Sequence, residues 1–233
     1  MLPSLFSVAQ EERNIVVDEN AQVRKLSGFS GIEVSGAIDL YISQGKEDAV
    51  AVSAGNKEQI NYIKTEVKND VLHIYFESKG LNWRKWTQGK IKAYVTVNDL
   101  KRLEASGACN VKTTNTINSD ALEMELSGAS DLSGSIDVSS LVLKLSGASV
   151  LSLNGKAVNA YISCSGASTV KSYDLVTNYS KIVASGASSV RIHVAKELNV
   201  NASGASSISY KGNGMQREIN TSGASSLKHK TTD

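Results

Sequence analysis

The chain has 233 residues, enough for one substantial core with an appended cap. Its 25 lysines and arginines against 23 aspartates and glutamates leave a net charge of +2, which argues against a nucleic-acid partner. No apolar run approaches the roughly 20 residues that a transmembrane helix needs, so the sequence predicts no transmembrane segment.

Residues 1–20 are interpreted as a signal-peptide remnant and flexible leader. Residues 1–9 are largely apolar, and Ser7 and Ala9 are small residues with the spacing of a cleavage site before Gln10. The basic residues that begin a complete signal are missing, so an N-terminus that is merely apolar and disordered is the alternative. The leader interpretation predicts a secreted protein, or one of the cell envelope.

Residues 21–100 carry strand signals without a regular period, and we predict that they form an irregular N-terminal β cap. The chain has no proline after Pro3, so each later residue keeps the backbone N–H that a β ladder requires. Two alternating runs flank Asn69-Asp70, a favourable hairpin turn. The cap is therefore expected to contain at least one antiparallel pair.

Residues 79–90 interrupt this strand pattern and are predicted to form a protruding loop. The segment holds both tryptophans of the chain, four basic residues and two glycines. Tryptophan close to arginine or lysine suits stacking on sugar rings and pairing with anionic groups. The candidate ligand-binding residues are Trp83, Arg84, Lys85 and Trp86. The alternative is that one or both indoles fold back and seal the N-terminal end of the core.

Beyond the cap, the dominant feature is a repeat of about 19 residues. The tripeptide Ser-Gly-Ala occurs eight times, starting at Ser35, Ser106, Ser127, Ser146, Ser165, Ser185, Ser203 and Ser222. From the second copy onward the steps are 21, 19, 19, 20, 18 and 19 residues, while the intervening sequence varies. A spacing held through variable sequence is typical of a repeat architecture.

Two aliphatic columns accompany the repeat. The third residue before each serine is Leu103, Met124, Leu143, Ile162, Ile182, Val200 and Ile219. The fifth residue after each serine is Val111, Leu132, Leu151, Val170, Val190, Ile208 and Leu227. Strands that recur in one direction once per repeat pair in parallel, so these columns predict stacked hydrophobic ladders. We therefore predict an all-β fold, a parallel β-helix (β-solenoid) over residues 101–233, continuous with the cap.

Each Ser-Gly-Ala is predicted to turn the chain at a corner between two strands. Glycine permits a backbone conformation closed to residues with a Cβ, and alanine leaves little room inside the corner. The next position is Cys109 in the Ser106 copy and serine in the six copies that follow. Hydroxyls stacked there can satisfy one another and nearby carbonyls, so we interpret these serines as structural and not as nucleophiles.

The step of 71 residues from Ser35 to Ser106 breaks the period. It is compatible with three enlarged coils, or with one coil that carries an antiparallel excursion, and we favour the second. Either arrangement would cover one open end of the solenoid, which repeat proteins need because an exposed terminal coil invites edge-to-edge aggregation.

The two cysteines are predicted to remain free thiols. Cys109 and Cys164 belong to coils three steps apart, which is roughly 14 Å along the axis. A disulfide requires Cα atoms within about 7 Å of each other.

Several motifs resemble a known family. They are the opening Phe29-Ser30-Gly31-Ile32-Glu33-Val34-Ser35-Gly36-Ala37, Gln44-Gly45 after the next strand, and the serial Ser-Gly-Ala-Ser corners. From about Val23 to the C-terminus the chain resembles the putative auto-transporter adhesin, head GIN domain family, common in Bacteroidetes. The resemblance implies a secreted or envelope-anchored β-helical domain without established catalytic residues. Cys109 at a corner and the short leader depart from the family pattern.

An adhesin-like module that binds a glycan or a surface protein is the favoured function. The alternatives are a purely structural envelope scaffold and a carbohydrate-active enzyme, because parallel β-helices also host lyases and hydrolases with clustered acidic or basic residues. The histidines, His73, His193 and His229, lie at unrelated positions of the repeat, and the sequence shows no catalytic or metal-binding constellation. We therefore expect no enzymatic activity and no cofactor; the sequence does not predict the oligomeric state.

Overall fold

The computed structural model describes Asp18 and residues 20–77 and 90–231. These residues form a parallel β-solenoid of about 7 turns with about 19 residues per turn, which confirms the predicted fold class and period. The predicted leader lies largely outside the described residues. No helix among the described residues is long and apolar enough to cross a membrane.

The irregular N-terminal part contains seven strands and one short helix. They are β1 (Gln22–Arg24), β2 (Gly31–Gly36), β3 (Ile38–Gln44), β4 (Ala49–Ser53), α1 (Lys57–Ile60), β5 (Ile63–Lys68), β6 (Val71–Phe76) and β7 (Ile91–Val97). The strands that follow are β8 (Arg102–Gly107), β9 (Asn110–Leu126), β10 (Asp131–Leu145), β11 (Val150–Cys164), β12 (Thr169–Ala184), β13 (Ser189–Ala202), β14 (Ser207–Lys211), β15 (Met215–Thr221) and β16 (Ser226–His229).

The long strands bend within a coil, as β12 illustrates most clearly. Its residues alternate between buried and outward positions from Val170 to Ser172, then change phase near Asp174 and again near Asn178. A change of phase turns the chain while keeping the apolar side chains inside. The coil formed by β12 therefore bends twice between successive Ser-Gly-Ala corners. We call the outward surface formed by the stretches that follow the corners the post-corner face.

The two aliphatic columns form the predicted stacked ladders. Leu143 pairs in register with Met124 of the preceding coil and Ile162 of the following one, and all three side chains are fully buried. Burial weakens only in the last coil, where Ile219 and Leu227 are partly exposed. The core is thus one continuous apolar column along the solenoid axis.

The corner that contains Gly166 shows why glycine and serine recur. Gly166 has a φ of +67°, and a Cβ there would lie 2.6 Å from the carbonyl oxygen of Gly147 in the preceding corner. That carbonyl accepts a hydrogen bond of 2.8 Å from the backbone N–H of Ala167. The hydroxyl of Ser168 donates to the carbonyl of Ser165 at 2.8 Å, so it stabilises its own corner and not the serine of the next coil.

At the N-terminal end the coils do not stack in sequence order. Strand β2 lies between β6 and β8, and β3 lies between β7 and β9, in parallel pairings throughout. The coil formed by β2 and β3 is therefore inserted between a later coil, β6 with β7, and the first regular coil. Strands β5, β4 and β1 add to this end in antiparallel pairings. The irregular gap thus holds an antiparallel excursion, as we favoured, and also one further parallel coil.

The antiparallel strands and the helix cover the end of the core. Asn69 and Asp70 have φ values of 50° and 61° and form the expected hairpin turn between β5 and β6. Ile60 of α1 and Ile63 of β5 are buried in the core cluster. Described residues therefore contribute to closing this end of the hydrophobic column.

Both cysteines are free and buried, as predicted from their coil positions. Burial raises the pKa of the Cys164 thiol to about 11, and burial also raises the pKa of Cys109. The thiols therefore stay protonated and shielded in the folded protein.

Candidate ligand-binding site

A cavity of about 440 Å³ lies on the outward face of the sheet at the N-terminal end. The face is formed by the neighbouring strands β1, β4, β7, β3 and β9. The lining residues are Ala21, Val23, Tyr41, Ser43, Ala49, Val50, Ala51, Tyr94, Val95, Thr96 and Thr114. We call this cavity the tyrosine site.

Strand register brings the site's side chains into one row. Tyr41 of β3 pairs with Tyr94 of β7, Tyr94 pairs with Ala51 of β4, and Ala51 pairs with Val23 of β1. Both tyrosines alternate with buried residues of their strands, so their rings point outward. The small alanine side chain leaves the ring of Tyr94 open on one side, and Val23 is 74% exposed at the rim.

The two tyrosine rings form the floor of the site. Their centroids are 5.3 Å apart and the planes differ by 18°, a stacked arrangement. The hydroxyl of Tyr94 donates a hydrogen bond of 3.0 Å to a carboxylate oxygen of Asp18, which fixes the ring. Burial and this carboxylate both raise the pKa of Tyr94, so its hydroxyl stays protonated at physiological pH.

Asp18 is held in its charged form. Partial burial would raise the pKa of its carboxyl, but hydrogen bonds from Ser53, Tyr94 and Asn20, together with the charge of Lys92, outweigh that effect and lower it. The ammonium of Lys92 lies 3.7 Å from the carboxylate. The tyrosine floor therefore rests on a charged, hydrogen-bonded support.

Hydroxyl groups form one edge of the site. Ser43 and Thr96 share a hydrogen bond of 2.9 Å, and Thr114 donates to the carbonyl of Ile42 at 3.3 Å. A shared bond leaves one O–H and several lone pairs of the pair available to a ligand. The site thus combines an aromatic floor, small apolar walls and a hydroxyl edge, the pattern of an apolar pocket with a few orienting polar groups.

The ligand-binding residues predicted from the sequence, Trp83, Arg84, Lys85 and Trp86, lie outside the described residues. The described chain leaves at Glu77 and returns at Lys90, whose ammonium is 3.3 Å from the carboxylate of Asp39. Asp39 lies two residues before Tyr41 and on the same outward face. The predicted segment therefore joins the described structure beside the tyrosine site.

Sequence reasoning missed Tyr41 and Tyr94. Alternation within each strand predicts that both rings point outward. Their pairing depends on β7 stacking directly on β3, and no repeat period indicates that contact.

The Gln44-Gly45 motif has a structural role. The side-chain amide of Gln44 donates to the carbonyls of Asn98 at 3.0 Å and Asn118 at 2.9 Å, and its oxygen accepts from the backbone N–H of Asn118 at 2.7 Å. These bonds tie the end of β3 to the chain that follows β7 and to β9. The motif positions the sheet that carries the tyrosine site.

Three aspartates of the described residues, Asp99, Asp120 and Asp137, line one groove of the solenoid. No group of three or more His, Cys, Asp or Glu among the described residues could hold a metal ion. His73 lies 3.0 Å from Glu33, and His229 stacks on Tyr210 with the ring centroids 4.6 Å apart. These pairings account for two of the three histidines as local contacts.

Comparison with known proteins gives a family and a set of similar structures. The family model described as putative auto-transporter adhesin, head GIN domain, matches residues 28–214. No curated protein matches. A putative adhesin from Bacteroides fragilis has a TM-score of 0.82 at 19% identity, covering 90% of this chain and 95% of that one.

Two further structures come from Parabacteroides distasonis. One is a putative adhesin with a TM-score of 0.72 at 16% identity, covering 90% of this chain and 95% of the other. The second is a putative lipid binding protein with a TM-score of 0.66 at 18% identity, covering 91% of this chain and 97% of the other. Likeness at these identities shows the fold, and the ligands of those proteins do not transfer with it.

Proposed function

Because the chain belongs to the putative auto-transporter adhesin, head GIN domain family, we propose that it is a non-enzymatic, adhesin-like module that binds a glycan. The family and the similar structures are described as adhesins or binding proteins and not as enzymes, which supports a binding role. The same descriptions support a secreted or cell-envelope location. A surface protein is the alternative ligand.

The tyrosine site is the observation that carries this proposal. A sugar ring has one apolar face of C–H groups and a rim of hydroxyls. The apolar face can stack on a ring face of Tyr41 or Tyr94 that is turned away from the other ring, and the rim can bond with Ser43 and Thr96. Rigid aromatic side chains with neighbouring hydroxyls also recur in protein-binding surfaces, so both ligand classes belong in the test.

An array of glycans and surface proteins, probed with the purified chain and with Tyr41→Ala, tests the tyrosine site. We expect saturable binding to a glycan without turnover, and a loss of affinity of about tenfold or more in the variant, since an aromatic anchor is removed. Tyr161→Ala is the matched control, because this tyrosine is 36% exposed in a different groove of the solenoid. Full affinity in Tyr41→Ala, or equal losses in both variants, would contradict the site. Cleavage of the bound glycan would contradict the non-enzymatic role.

The segment with the two tryptophans is proposed to add a second contact to the same ligand. It joins the described chain at Lys90, beside the tyrosine site. Described residues such as Ile60 and Ile63 already pack at the N-terminal end of the core, which supports a binding role for the indoles over a sealing role.

The double variant Trp83→Ala, Trp86→Ala is therefore expected to keep its melting temperature and bind the array ligand more weakly. Loss of two aromatic contacts should cost at least about tenfold in affinity. A clear fall in melting temperature would instead support a sealing role for the indoles. Unchanged melting together with unchanged binding would eliminate both roles.

A further inference from the structure

Charge is distributed unevenly along the solenoid. Residues 151–231 contain nine lysines and arginines against three aspartates and glutamates, a net charge of +6 (9 − 3). The rest of the chain holds the other 16 basic and 20 acidic residues, a net charge of −4. The small overall charge therefore conceals a strongly basic C-terminal third of the chain.

Five of these cations lie on the post-corner face of the C-terminal coils. Lys171 pairs in register with Arg191, Arg191 with Ser209, and Ser209 with Lys228, so these residues form one outward column. Lys211 and Lys230 lie two residues further along β14 and just after β16. Within residues 20–77 and 90–231, none of the five cations forms an ion pair with a carboxylate. We call this group the basic face.

Two of the five cations lie near the ring of Tyr173. Its hydroxyl donates to the hydroxyl of Ser209, two coils away, at 2.8 Å, so the ring lies across the intervening coil. The ammonium of Lys211 lies 5.2 Å from the ring centroid and that of Lys230 lies 5.9 Å from it. Two cations near one aromatic ring repel each other, and an anionic group between them would relieve the repulsion.

Apart from His193, which pairs with Lys211, the remaining outward residues of the face are small and polar. They include Thr169, Ser189, Ser207 and Ser226, next to the basic column. A surface that inserts into a membrane presents large apolar side chains, and those that are exposed in these coils belong to other stretches: Val158, Tyr161, Val176, Tyr179 and Met215. The basic face therefore suits a hydrophilic, extended polyanion better than a bilayer.

We propose that the basic face binds an anionic polysaccharide. Carboxylate or sulfate groups of the polymer pair with Lys211 and Lys230, a sugar ring lies against Tyr173, and Lys171, Arg191 and Lys228 contact neighbouring units. The straight, rigid column of coils presents these cations in a line, which matches the repeating charge of such a polymer. This face is separate from the tyrosine site, which lies at the opposite end of the solenoid.

Binding of the whole chain to polygalacturonate and to heparin, with neutral dextran as reference, tests the proposal. We expect saturable binding to at least one polyanion, no binding to dextran, and weakening as sodium chloride rises. The variant Lys211→Gln, Lys230→Gln should raise the Kd by about tenfold or more, because two charge-assisted contacts are lost. The matched control is Lys68→Gln, Lys101→Gln, which removes the same charge from two exposed lysines in the N-terminal part.

Several outcomes would overturn the proposal. Equal weakening in the two double variants would mean that net charge alone governs binding. If neither polyanion bound saturably at low salt, the proposed polysaccharide site would be wrong. Binding to phosphatidylglycerol vesicles or to duplex DNA through the same lysines, without binding to either polysaccharide, would assign the face to a different partner. Tyr41→Ala is expected to bind the polyanions normally, so this proposal and the glycan proposal can fail independently.

Discussion

Leu143→Asp is expected to unfold the solenoid. Leu143 is fully buried in the ladder between Met124 and Ile162, and no described cation can reach it there. An uncompensated buried carboxylate costs several kcal/mol, and removing the leucine adds about 2–5 kcal/mol. The sum is comparable to the whole stability of a typical domain, about 5–15 kcal/mol. Far-UV circular dichroism and thermal melting would show the loss of the folded state.

Lys144→Asp introduces the same side chain one residue later and serves as the control. Lys144 is exposed, pairs with the carboxylate of Glu123 at 2.6 Å and lies opposite Glu125 in the neighbouring strand. Losing an exposed ion pair and placing two like charges opposite each other should lower the melting temperature only slightly, because solvent screens both effects. Equal melting temperatures in Leu143→Asp and Lys144→Asp would contradict the strand register.

Gly166→Ala is expected to destabilise the solenoid strongly, although it adds only one methyl group at a corner. The added Cβ would meet the carbonyl oxygen of Gly147 at 2.6 Å, where that oxygen accepts the hydrogen bond from Ala167. Relief of the clash requires the two coils to separate at the corner, which weakens the ladder on both sides. Together with the positive φ of +67°, the expected loss is about 3 kcal/mol or more, measured by chemical denaturation.

Gly28→Ala separates conformational strain from steric clash. Gly28 has a similar φ of +78°, but a Cβ there would have no atom within 4 Å. Only the cost of a left-handed conformation remains, about 1–2 kcal/mol. If the two alanine variants lost equal stability, close approach between corners would not be what requires glycine at Gly166.

The repeat made the central coils predictable. The column through Leu143 recurs at nearly constant spacing, and parallel stacking is the arrangement that buries every member of such a column. The hairpin at Asn69-Asp70 was equally accessible, since its turn chemistry is local. Sequence reasoning succeeded where a contact follows either from the period or from neighbouring residues.

The candidate sites depend on contacts of another kind. Tyr41 and Tyr94 are 53 positions apart and meet because β7 stacks on β3 outside the order of the chain. Tyr173 and Lys211 meet because a tyrosine ring crosses an intervening coil. Neither contact leaves a periodic signal, and the serine and lysine columns around them vary from copy to copy. The sequence therefore predicted the scaffold well, whereas these two candidate sites became visible only in the structure.

Because the coil of β2 and β3 is inserted out of chain order, gene duplication can add coils at only one end of the solenoid. From Ser106 onward, neighbours in space are neighbours in sequence, so an in-frame duplication of one unit adds one coil without disturbing any other pairing. A duplication at the opposite end has no equivalent, because β2 and β3 each lie there between partners from distant parts of the gene. Lineages can thus lengthen or shorten the rod, and with it the row of basic side chains, while the end that carries Tyr41 and Tyr94 is inherited as a fixed unit.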